Sequence, residues 1–272
     1  MSGETQAGNG RRFTALILAA SRGAADPVAK SEGTSHKCLV DVVGTPMLTR
    51  VVETLIASPS IGAIAISIEA PEVLEALAPV AEAVAAGHIT VLTSGPTTSA
   101  SVLRAAEALG NPYPLLIATA DNPLLAPGMV EHFCAGSLAS DADLSVALAS
   151  ETVVREAVPT AQRTFLRFRD GRYSGCNLYA LTREAGLGAV RFWAAAERHR
   201  KRPWRLVATF GLGSLVLFLL GWLTLDDAFA RASRVMKVRA KVLKMPFPTA
   251  PIDVDKPADL ALVRQILASG GS

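Results

Sequence analysis

The first half of the chain alternates short apolar runs with amphipathic or alanine-rich stretches. The runs are apolar almost throughout, which is typical of strands buried on both faces of a parallel sheet. They predict strands at 13–20, 61–69, 88–93, 113–121 and 143–150. The stretches between them predict helices at 72–86, at 99–110, at 127–138 and from Thr45-Pro46, with Thr45 as N-cap and Pro46 as first helical residue. This alternation indicates an α/β fold with three layers and a mainly parallel sheet.

The second half is less regular. The segment "TFLRFRDGRYSGCNLYAL" predicts a hairpin through Asp170-Gly171 and then a strand. The remaining predicted elements are a strand at 176–181, helical stretches at 184–200 and 203–234, a strand at 235–245, a short strand in "PIDVDKPADL" and a helix from Lys256-Pro257. We therefore expect a disordered tail over 1–12 and one domain over 13–269, with a helical insertion at about 184–234.

Composition narrows the class of protein. Half of the 272 residues are hydrophobic, which excludes general disorder, and a net charge of +3 is too small an excess to indicate nucleic-acid binding. The three cysteines, Cys38, Cys134 and Cys176, are scattered, and no CxxC pair occurs. We therefore expect a cytoplasmic chain whose thiols are reduced. Cys38 follows Lys37 and is a candidate reactive thiol, although a small buried side chain is the favoured interpretation. The polar N-terminus lacks the apolar region of a secretory signal.

Candidate chemistry follows the predicted strands. In parallel sheets ligands bind beyond the carboxyl ends of the strands, so the loops at 21–37, 94–99 and 121–123 are expected to converge. The first loop lacks the GxGxxG and GxxxxGK[ST] patterns. Its serine and glycine expose backbone amides and its cations suit a phosphate, as an alternative to a plain surface loop.

Three aspartates are candidate ligands for a hard cation. Asp121 ends a predicted strand, where a carboxylate can hold Mg²⁺; the alternative is an ordinary turn residue. Asp253 and Asp255 are two residues apart and would share one face of a strand. The alternative for Asp255 is an N-cap of the helix that begins at Lys256-Pro257.

Four segments in a fixed order carry a resemblance to a known family. They are "LILAASRG", "HKCLVDVVGTPML", "ATADNPLL" and "IDVDKPADL", spread over about 13–264. The chain resembles the MobA-like NTP transferases, nucleotidyltransferases of glycosyltransferase-A-like fold that include molybdenum cofactor guanylyltransferase and methylerythritol-phosphate cytidylyltransferase. The chain departs from the family pattern at Ser21, which replaces the usual glycine, and in a longer segment before Lys37 that lacks the usual arginine.

The resemblance implies a role for each segment. Lys37 and Asp121 would be the catalytic residues, with Lys37 on the phosphates and Asp121 holding Mg²⁺ together with Asp253 or Asp255. Asn177 and Gly175 would face the acceptor. The nucleotide would be bound by Lys37 and by Ala19, Ala20, Ser21, Arg22, Gly23, Ser94, Gly95 and Ser99.

The implied reaction needs few side chains. An oxygen of an acceptor phosphate attacks the α-phosphate of an NTP, and pyrophosphate leaves in line. The partners are thus an NTP and a phosphorylated small molecule, with CTP as preferred nucleotide and a lipid-headgroup precursor as candidate acceptor. The alternatives are a nucleotide-binding or membrane-associated protein without turnover, and a glycosyltransferase that uses a nucleotide sugar, although the latter normally shows a D-x-D motif that "ADNP" lacks.

An uncharged run of twenty residues, 206–225, has the length of a transmembrane helix. A crossing would separate "IDVDKPADL" from Asp121, so we do not expect one. The alternatives are a buried helix pair, a homodimer face, or contact of 198–225 with the inner membrane surface, where the basic cluster 198–205 and two tryptophans would meet the headgroups. Surface contact is the favoured interpretation.

Overall fold

The apolar runs form one mixed sheet in the computed structural model, which describes residues 11–21, 25–198, 217 and 220–270. The sheet strands are β1 Phe13–Leu18, β4 Ile61–Ile68, β5 Ile89–Thr93, β6 Leu115–Thr119, β7 Leu144–Ser150, β8 Leu166–Phe168, β9 Gly171–Leu181 and β10 Ala240–Lys244. Seven of them follow in the order β10-β7-β9-β6-β1-β4-β5, and β8 pairs with β9. The predicted α/β class is confirmed, and the sheet is mainly parallel because only the pairs made by β9 are antiparallel.

Both faces of the sheet are covered, which gives the predicted three layers. Ala15 and Ile17 of β1 belong to one buried cluster, whereas Leu16 between them belongs to another. Successive residues of a strand point to opposite faces, so the two clusters are the two faces of the sheet. The helices are α1 Pro27–Ser31, α2 Met47–Ile56, α3 Ala78–Ala85, α4 Thr98–Ala108, α5 Pro127–Ala139, α6 Glu151–Ala157, α7 Leu187–Arg198, α8 Leu225–Met236 and α9 Pro257–Ala268.

Strand β9 lies between β6 and β7 and runs against both. The predicted hairpin at Asp170-Gly171 forms, but the strand that follows is continuous from Gly171 rather than beginning at 176. Its pairing with β7 shifts register between Val146 and Leu148, and Asn177 there has a positive φ of 53°. This bulge turns Asn177 out of the regular pleat at the edge of the sheet where β6 ends.

One predicted helix start is wrong; the start of α9 at Pro257 is as predicted, but the cap offered as an alternative role for Asp255 does not form. Thr45 does not cap α2: Thr45 and Pro46 form β3, which pairs with β2 (Asp41–Val42), and the helix begins at Met47. Asp255 does not cap α9, because the Asp259 carboxylate accepts hydrogen bonds from the amides of Asp255 and Lys256, at 3.1 and 3.0 Å. A carboxylate inside the first turn reaches back to those amides, so it satisfies the helix end that Asp255 would cap in the alternative interpretation.

Three further boundaries differ from the predictions. The helix expected at 72–86 is divided into a 3₁₀ turn at Pro71–Ala76 and α3. The strand expected at 235–245 is shorter, because its first residues complete the last turn of α8. No strand forms between 251 and 256, although these residues are described. The inference that Asp253 and Asp255 share a strand face is therefore wrong.

The loop after β1 has more internal structure than its sequence suggested. Residues 27–31 form α1, whose first amides donate to the buried Asp26 carboxylate at 2.9 and 3.2 Å. Arg264 of α9 pairs with Glu32 just after this helix, at 2.7 Å. The segment that contains Lys37 is thus held against α9 by this ion pair.

The predicted insertion is described at its two ends, α7 and α8. Residues 199–216 and 218–219 lie outside the described residues, as do most of the run 206–225 and the tail residues 1–10. The described end of the run packs on the β8–β9 hairpin: Arg169 N donates to Leu223 O at 2.8 Å and Leu225 N donates to Asp170 Oδ1 at 2.9 Å. No helix within the described ranges is both long and apolar enough to cross a membrane.

Candidate active site

A polar pocket opens at the carboxyl ends of β1 and β6. Ala19 N donates to Ser67 O at 2.9 Å and Ala120 N donates to Leu18 O at 3.0 Å, so the segments that leave the two strands stay side by side. The pocket is lined by Leu18, Ala19, Ala20, Ser21, Lys37, Cys38, Met47, Ala120 and Asp121. Five of the predicted site residues therefore meet in one pocket, whereas Arg22 and Gly23 lie outside the described residues.

Lys37 lies between two carboxylates. Its Nζ is 2.7 Å from Asp121 Oδ2 and 3.7 Å from Asp255 Oδ1, and it also donates to Val254 O at 3.1 Å. The side chains of Lys37 and Asp121 are 15% and 19% exposed, whereas that of Asp255 is 68% exposed. The end of β6 and the segment before α9 thus together hold the positive charge of Lys37.

Lys37 is held in its charged form. Burial by itself lowers the pKa of this ammonium group, but the charge and hydrogen bond of Asp121, with the further charge of Asp255, outweigh burial and raise the pKa above its usual value of 10.5. Lys37 therefore supplies a permanent positive charge at physiological pH, as binding to a triphosphate requires.

The arrangement has free capacity for a hard cation. Asp121 Oδ1 is buried and accepts no hydrogen bond from the described residues. Val254 N donates to the backbone oxygen of Asp121 at 2.9 Å, which fixes the start of the turn. Among the described residues no three acidic, histidine or cysteine side chains form a complete metal site. Mg²⁺ is commonly held by one or two carboxylates together with substrate phosphates, so Asp121 and Asp255 fit this cation.

Glu69 also contacts the loop after β1 and was not predicted from the sequence. The Ser21 amide donates to Glu69 Oε1 and Oε2 at 3.1 and 3.2 Å, and His36 Nε2 lies 3.7 Å from Glu69 Oε1. Glu69 directly follows β4, the neighbour of β1. The rule that strand ends converge, applied to this strand as to the others, is the signal that would have found it.

Residues 94–99, which include the predicted nucleotide-binding residues Ser94, Gly95 and Ser99, follow β5 and lie one strand further along the same edge. Ser94 N donates to Ile68 O at 2.9 Å. Gly95 packs against α4 so closely that an added Cβ would lie 2.8 Å from the Ala100 backbone, and its amide donates to Ser101 Oγ at 2.9 Å. Ser99 is buried in the first turn of α4. Gly95 thus shapes this turn through its close contact with α4, and Ser99 is packed inside it.

Asp253 lies near Asp121 and has different partners. Its carboxylate is 2.5 Å from Arg163 Nη2 and accepts a 2.5 Å hydrogen bond from Asn177 Nδ2. Burial raises its pKa above 3.8, opposed by the charge of Arg163 and reinforced by the charges of Asp121 and Asp255. Arg163 was not predicted, because it lies in an irregular segment and contacts a residue ninety positions away.

The predicted acceptor residues lie beside this pair. Asn177 contacts Asp253 directly, and Gly175, two residues earlier in β9, borders open space, because an added Cβ would meet no atom within 4 Å. The structure therefore places Asn177 and Gly175 at the same sheet edge as Asp121.

The three cysteines are buried and free. Burial, more than any neighbouring charge, raises the pKa of each thiol to about 12. Cys38 lines the pocket as a small neutral side chain, and the interpretation as a reactive thiol is not supported.

Comparison with solved structures agrees with this geometry. A structure described as a hypothetical transferase from Thermus thermophilus is 28% identical, with a TM-score of 0.74 over 92% of this chain and 99% of that one. A CMP:2-keto-3-deoxy-manno-octonic acid synthetase determined with CTP gives a TM-score of 0.58 at 14% identity, over 95% and 99% of the two chains. A 4-diphosphocytidyl-2C-methyl-D-erythritol synthase from Anaerococcus prevotii gives 0.60 at 12% identity, over the same shares.

The last two likenesses show the fold alone, since their identities are low. No curated protein matches the sequence significantly. The model of the MobA-like NTP transferase domain matches residues 7–205, which is well over half of the chain. This protein therefore belongs to the MobA-like NTP transferase family and is a nucleotidyltransferase.

Proposed function

We propose that the protein transfers a cytidylyl group from CTP to the phosphate of a small molecule and releases pyrophosphate, with Mg²⁺ held by Asp121 and Asp255. The observation that carries this proposal is the position of Lys37 Nζ between the two carboxylates, beside the pocket formed by residues 18–21. A cationic group held between carboxylate oxygens at the mouth of a pocket is the environment that a metal triphosphate requires.

The residues of the pocket divide the work between them. The loop after β1 borders the triphosphate, and Lys37 moves from Asp121 to the phosphate oxygens. An oxygen of the acceptor phosphate bonds to the α-phosphorus, and the bond from that phosphorus to the bridging oxygen breaks, so that pyrophosphate leaves. The attacking oxygen is already anionic, so no side chain has to remove a proton. When bound, Mg²⁺ would neutralise charge on the α-phosphate and on the departing pyrophosphate.

The preference for CTP rests on the structural neighbours. One of them was determined with CTP, and another is a synthase of a diphosphocytidyl compound. Their likeness covers nearly the whole of this chain, although their sequences have diverged. We therefore take the cytosine base as the first to test, and a phosphorylated headgroup precursor as the first class of acceptor.

Pyrophosphate release tests the proposal. The purified protein is incubated with Mg²⁺, one of CTP, GTP, ATP or UTP, and a pool of sugar, polyol and headgroup phosphates. We expect release with CTP, its loss in the Asp121→Ala and Lys37→Ala variants, and NTP-dependent thermal stabilisation in the same samples. Release with another NTP would overturn the choice of base, and turnover in Asp121→Ala would overturn the site.

A second proposal concerns the uncharged run. At the described end of this run, Trp222 is 62% exposed and Leu220 is 50% exposed. This end lies beside the β8–β9 hairpin, whose turn extends beyond the carboxyl end of β7. We propose that this end contacts an anionic membrane surface, as exposed tryptophan and leucine side chains favour. Co-sedimentation with anionic vesicles, compared with the Trp222→Ser variant, tests it; equal recovery of both proteins would contradict it. A homodimer stays a prediction.

A further inference from the structure

Each oxygen of the Asp253 carboxylate has a polar neighbour, although Oδ1 meets its neighbour as an ion pair without hydrogen-bond geometry. Arg163 Nη2 lies 2.5 Å from Oδ1, Asn177 Nδ2 donates to Oδ2, and Arg163 Nη1 also donates to the Asp253 backbone oxygen at 3.4 Å. Asp255, by contrast, is exposed and contacts only Lys37 among the charged groups described. Lys37 also contacts Asp121 and Asp255, but we propose that its ammonium group moves to the phosphates, whereas Arg163 is held on both a side-chain and the backbone oxygen of Asp253. The guanidinium that stays on Asp253 repels a divalent cation, so Asp255 is the better partner for Asp121 in metal binding.

The ion pair between Arg163 and Asp253 is not expected to stabilise the fold. Asp253 and Arg163 are 10% and 13% exposed, and the buried Arg163 Nε has no hydrogen-bond partner among the described residues. Burying two charges costs desolvation free energy, and an unpaired N–H group adds to that cost. A costly buried pair beside a site is consistent with a role in function.

The pair fixes the orientation of one amide. Asn177 sits in the β9 bulge with φ of 53°, a region that asparagine adopts more readily than most residues. Asn177 Nδ2 donates to Asp253 Oδ2, so the Asn177 side chain turns its NH₂ group toward Asp253. Asn177 Oδ1 is then the opposite end of the amide, and this end can accept a hydrogen bond but cannot donate one.

We propose that Arg163 is a positioning residue: through Asp253 it orients the Asn177 amide so that Asn177 Oδ1 accepts a hydrogen bond from a hydroxyl group of the acceptor. The inference rests on the proposed function, since it places the acceptor beside Asn177. It names the substrate class as a phosphorylated sugar or polyol. Choline phosphate carries no hydroxyl or amine donor and would be a poor acceptor. Asp253 takes no part in holding the cation.

Binding of Mn²⁺ with CTP separates the inference from the function on which it rests. Asp253→Asn and the double variant Arg163→Met/Asp253→Asn are expected to bind Mn²⁺·CTP within about twofold of the unmodified protein, whereas Asp121→Asn loses about tenfold or more. The double variant removes both buried charges together, which protects the fold. If Asp253→Asn weakens Mn²⁺ as strongly as Asp121→Asn, the inference fails. If Asp121→Asn has no effect, the proposed function fails.

The acceptor side is tested in the same proteins with separate pools of polyol phosphates, sugar phosphates and choline phosphate. Arg163→Met and Asn177→Ala are expected to raise the acceptor KM about tenfold, the effect of one lost hydrogen bond to a well-placed group, with the KM for CTP unchanged. Arg163→Lys should recover part of this loss. Use of choline phosphate, or KM values for CTP and acceptor that rise together with a loss of thermal stability, would overturn the proposal in favour of a structural role.

Discussion

Two clusters of aspartate and basic side chains lie at opposite ends of the sheet strands. They differ in how many hydrogen bonds the aspartate accepts. At the amino end of β7, Asp143 accepts from Arg239 N, Nε and Nη2 at 2.9, 3.3 and 2.8 Å and from Arg183 Nη1 at 3.3 Å. At the carboxyl end of β6, Asp121 accepts from Lys37 on one oxygen, and the described residues leave the other oxygen without a donor.

The difference separates a structural ion cluster from a candidate site. Asp143 uses its bonding capacity within the protein and joins the starts of β7 and β10 to the end of β9. Asp121 is also largely buried, yet it keeps a free oxygen beside an open pocket, where leaving it unpaired costs stability. Residue type alone does not distinguish the two aspartates, whereas their unused bonding capacity does.

The largest predicted effect is that of Asp121→Asn. The amide keeps the shape of the side chain but removes the charge that holds a hard cation, so we expect turnover to fall roughly a thousandfold, equivalent to about 4 kcal/mol in the barrier. Pyrophosphate release at saturating CTP measures it. A rate within tenfold of the unmodified protein would remove Asp121 from the mechanism.

Lys37→Met comes next. The variant keeps the apolar stem of the lysine and removes one charged donor to the phosphates, so we expect kcat to fall roughly a hundredfold. Steady-state kinetics with CTP measure the change. Lys241→Met is the matched control, since Lys241 is exposed on β10, outside the pocket lining, and its replacement should leave kcat unchanged. A loss in both variants would point to a general effect of surface charge.

Asp143→Asn tests the structural cluster rather than the candidate site. This change breaks hydrogen bonds between charged groups at a buried carboxylate, so we expect it to lower the free energy of unfolding by roughly 2 kcal/mol without changing kcat. Urea denaturation and pyrophosphate release, measured on one preparation, check both halves. An altered kcat in the folded variant would contradict the structural assignment of this cluster.

The cysteines give a smaller, qualitative test. Since burial raises the pKa of each thiol to about 12, the folded protein should react only slowly with an aromatic disulfide reagent at pH 8. In denaturant all three thiols should react. A fast-reacting thiol in the folded protein that Cys38→Ala abolishes would restore the interpretation of Cys38 as a reactive group.

The smallest effect concerns pH. The pKa of Lys37 is raised in the folded protein, so its ion pair contributes stability fully below about 10.5 and loses it as pH rises through the folded value. The difference in unfolding free energy between the unmodified protein and Lys37→Met should stay constant from neutral pH to about 10 and then shrink. A difference that shrinks nearer neutral pH would mean that the lysine is not charge-paired.

Much of this arrangement is predictable from sequence, because it follows from local patterns. Apolar runs and their order specify the sheet, and the rule that strand ends converge brings together the loop after β1, Lys37 and Asp121. The start of α2 was not predictable in the same way. Thr45-Pro46 is a good local signal for a cap, but pairing with Asp41 and Val42 takes precedence over it.

The contacts that distinguish Asp253 from Asp255 are beyond sequence reasoning. Arg163 lies in an irregular segment with no motif, and its contact with Asp253 depends on how that segment crosses the edge of the sheet. The Asn177 bulge is likewise a product of pairing with β7 rather than of a local signal. Pattern reasoning locates the edge of the sheet where the chemistry lies, but the division of labour between neighbouring carboxylates requires the three-dimensional contacts.

The most direct test of the central claim is the Mn²⁺ dependence of CTP binding in Asp121→Asn and Asp143→Asn, measured by calorimetry beside the unmodified protein. If the carboxyl edge of the sheet is the site, Asp121→Asn loses Mn²⁺-dependent affinity by about tenfold or more, and Asp143→Asn keeps it within about twofold. Equal affinities in the two folded variants, or a loss confined to Asp143→Asn, would contradict the account.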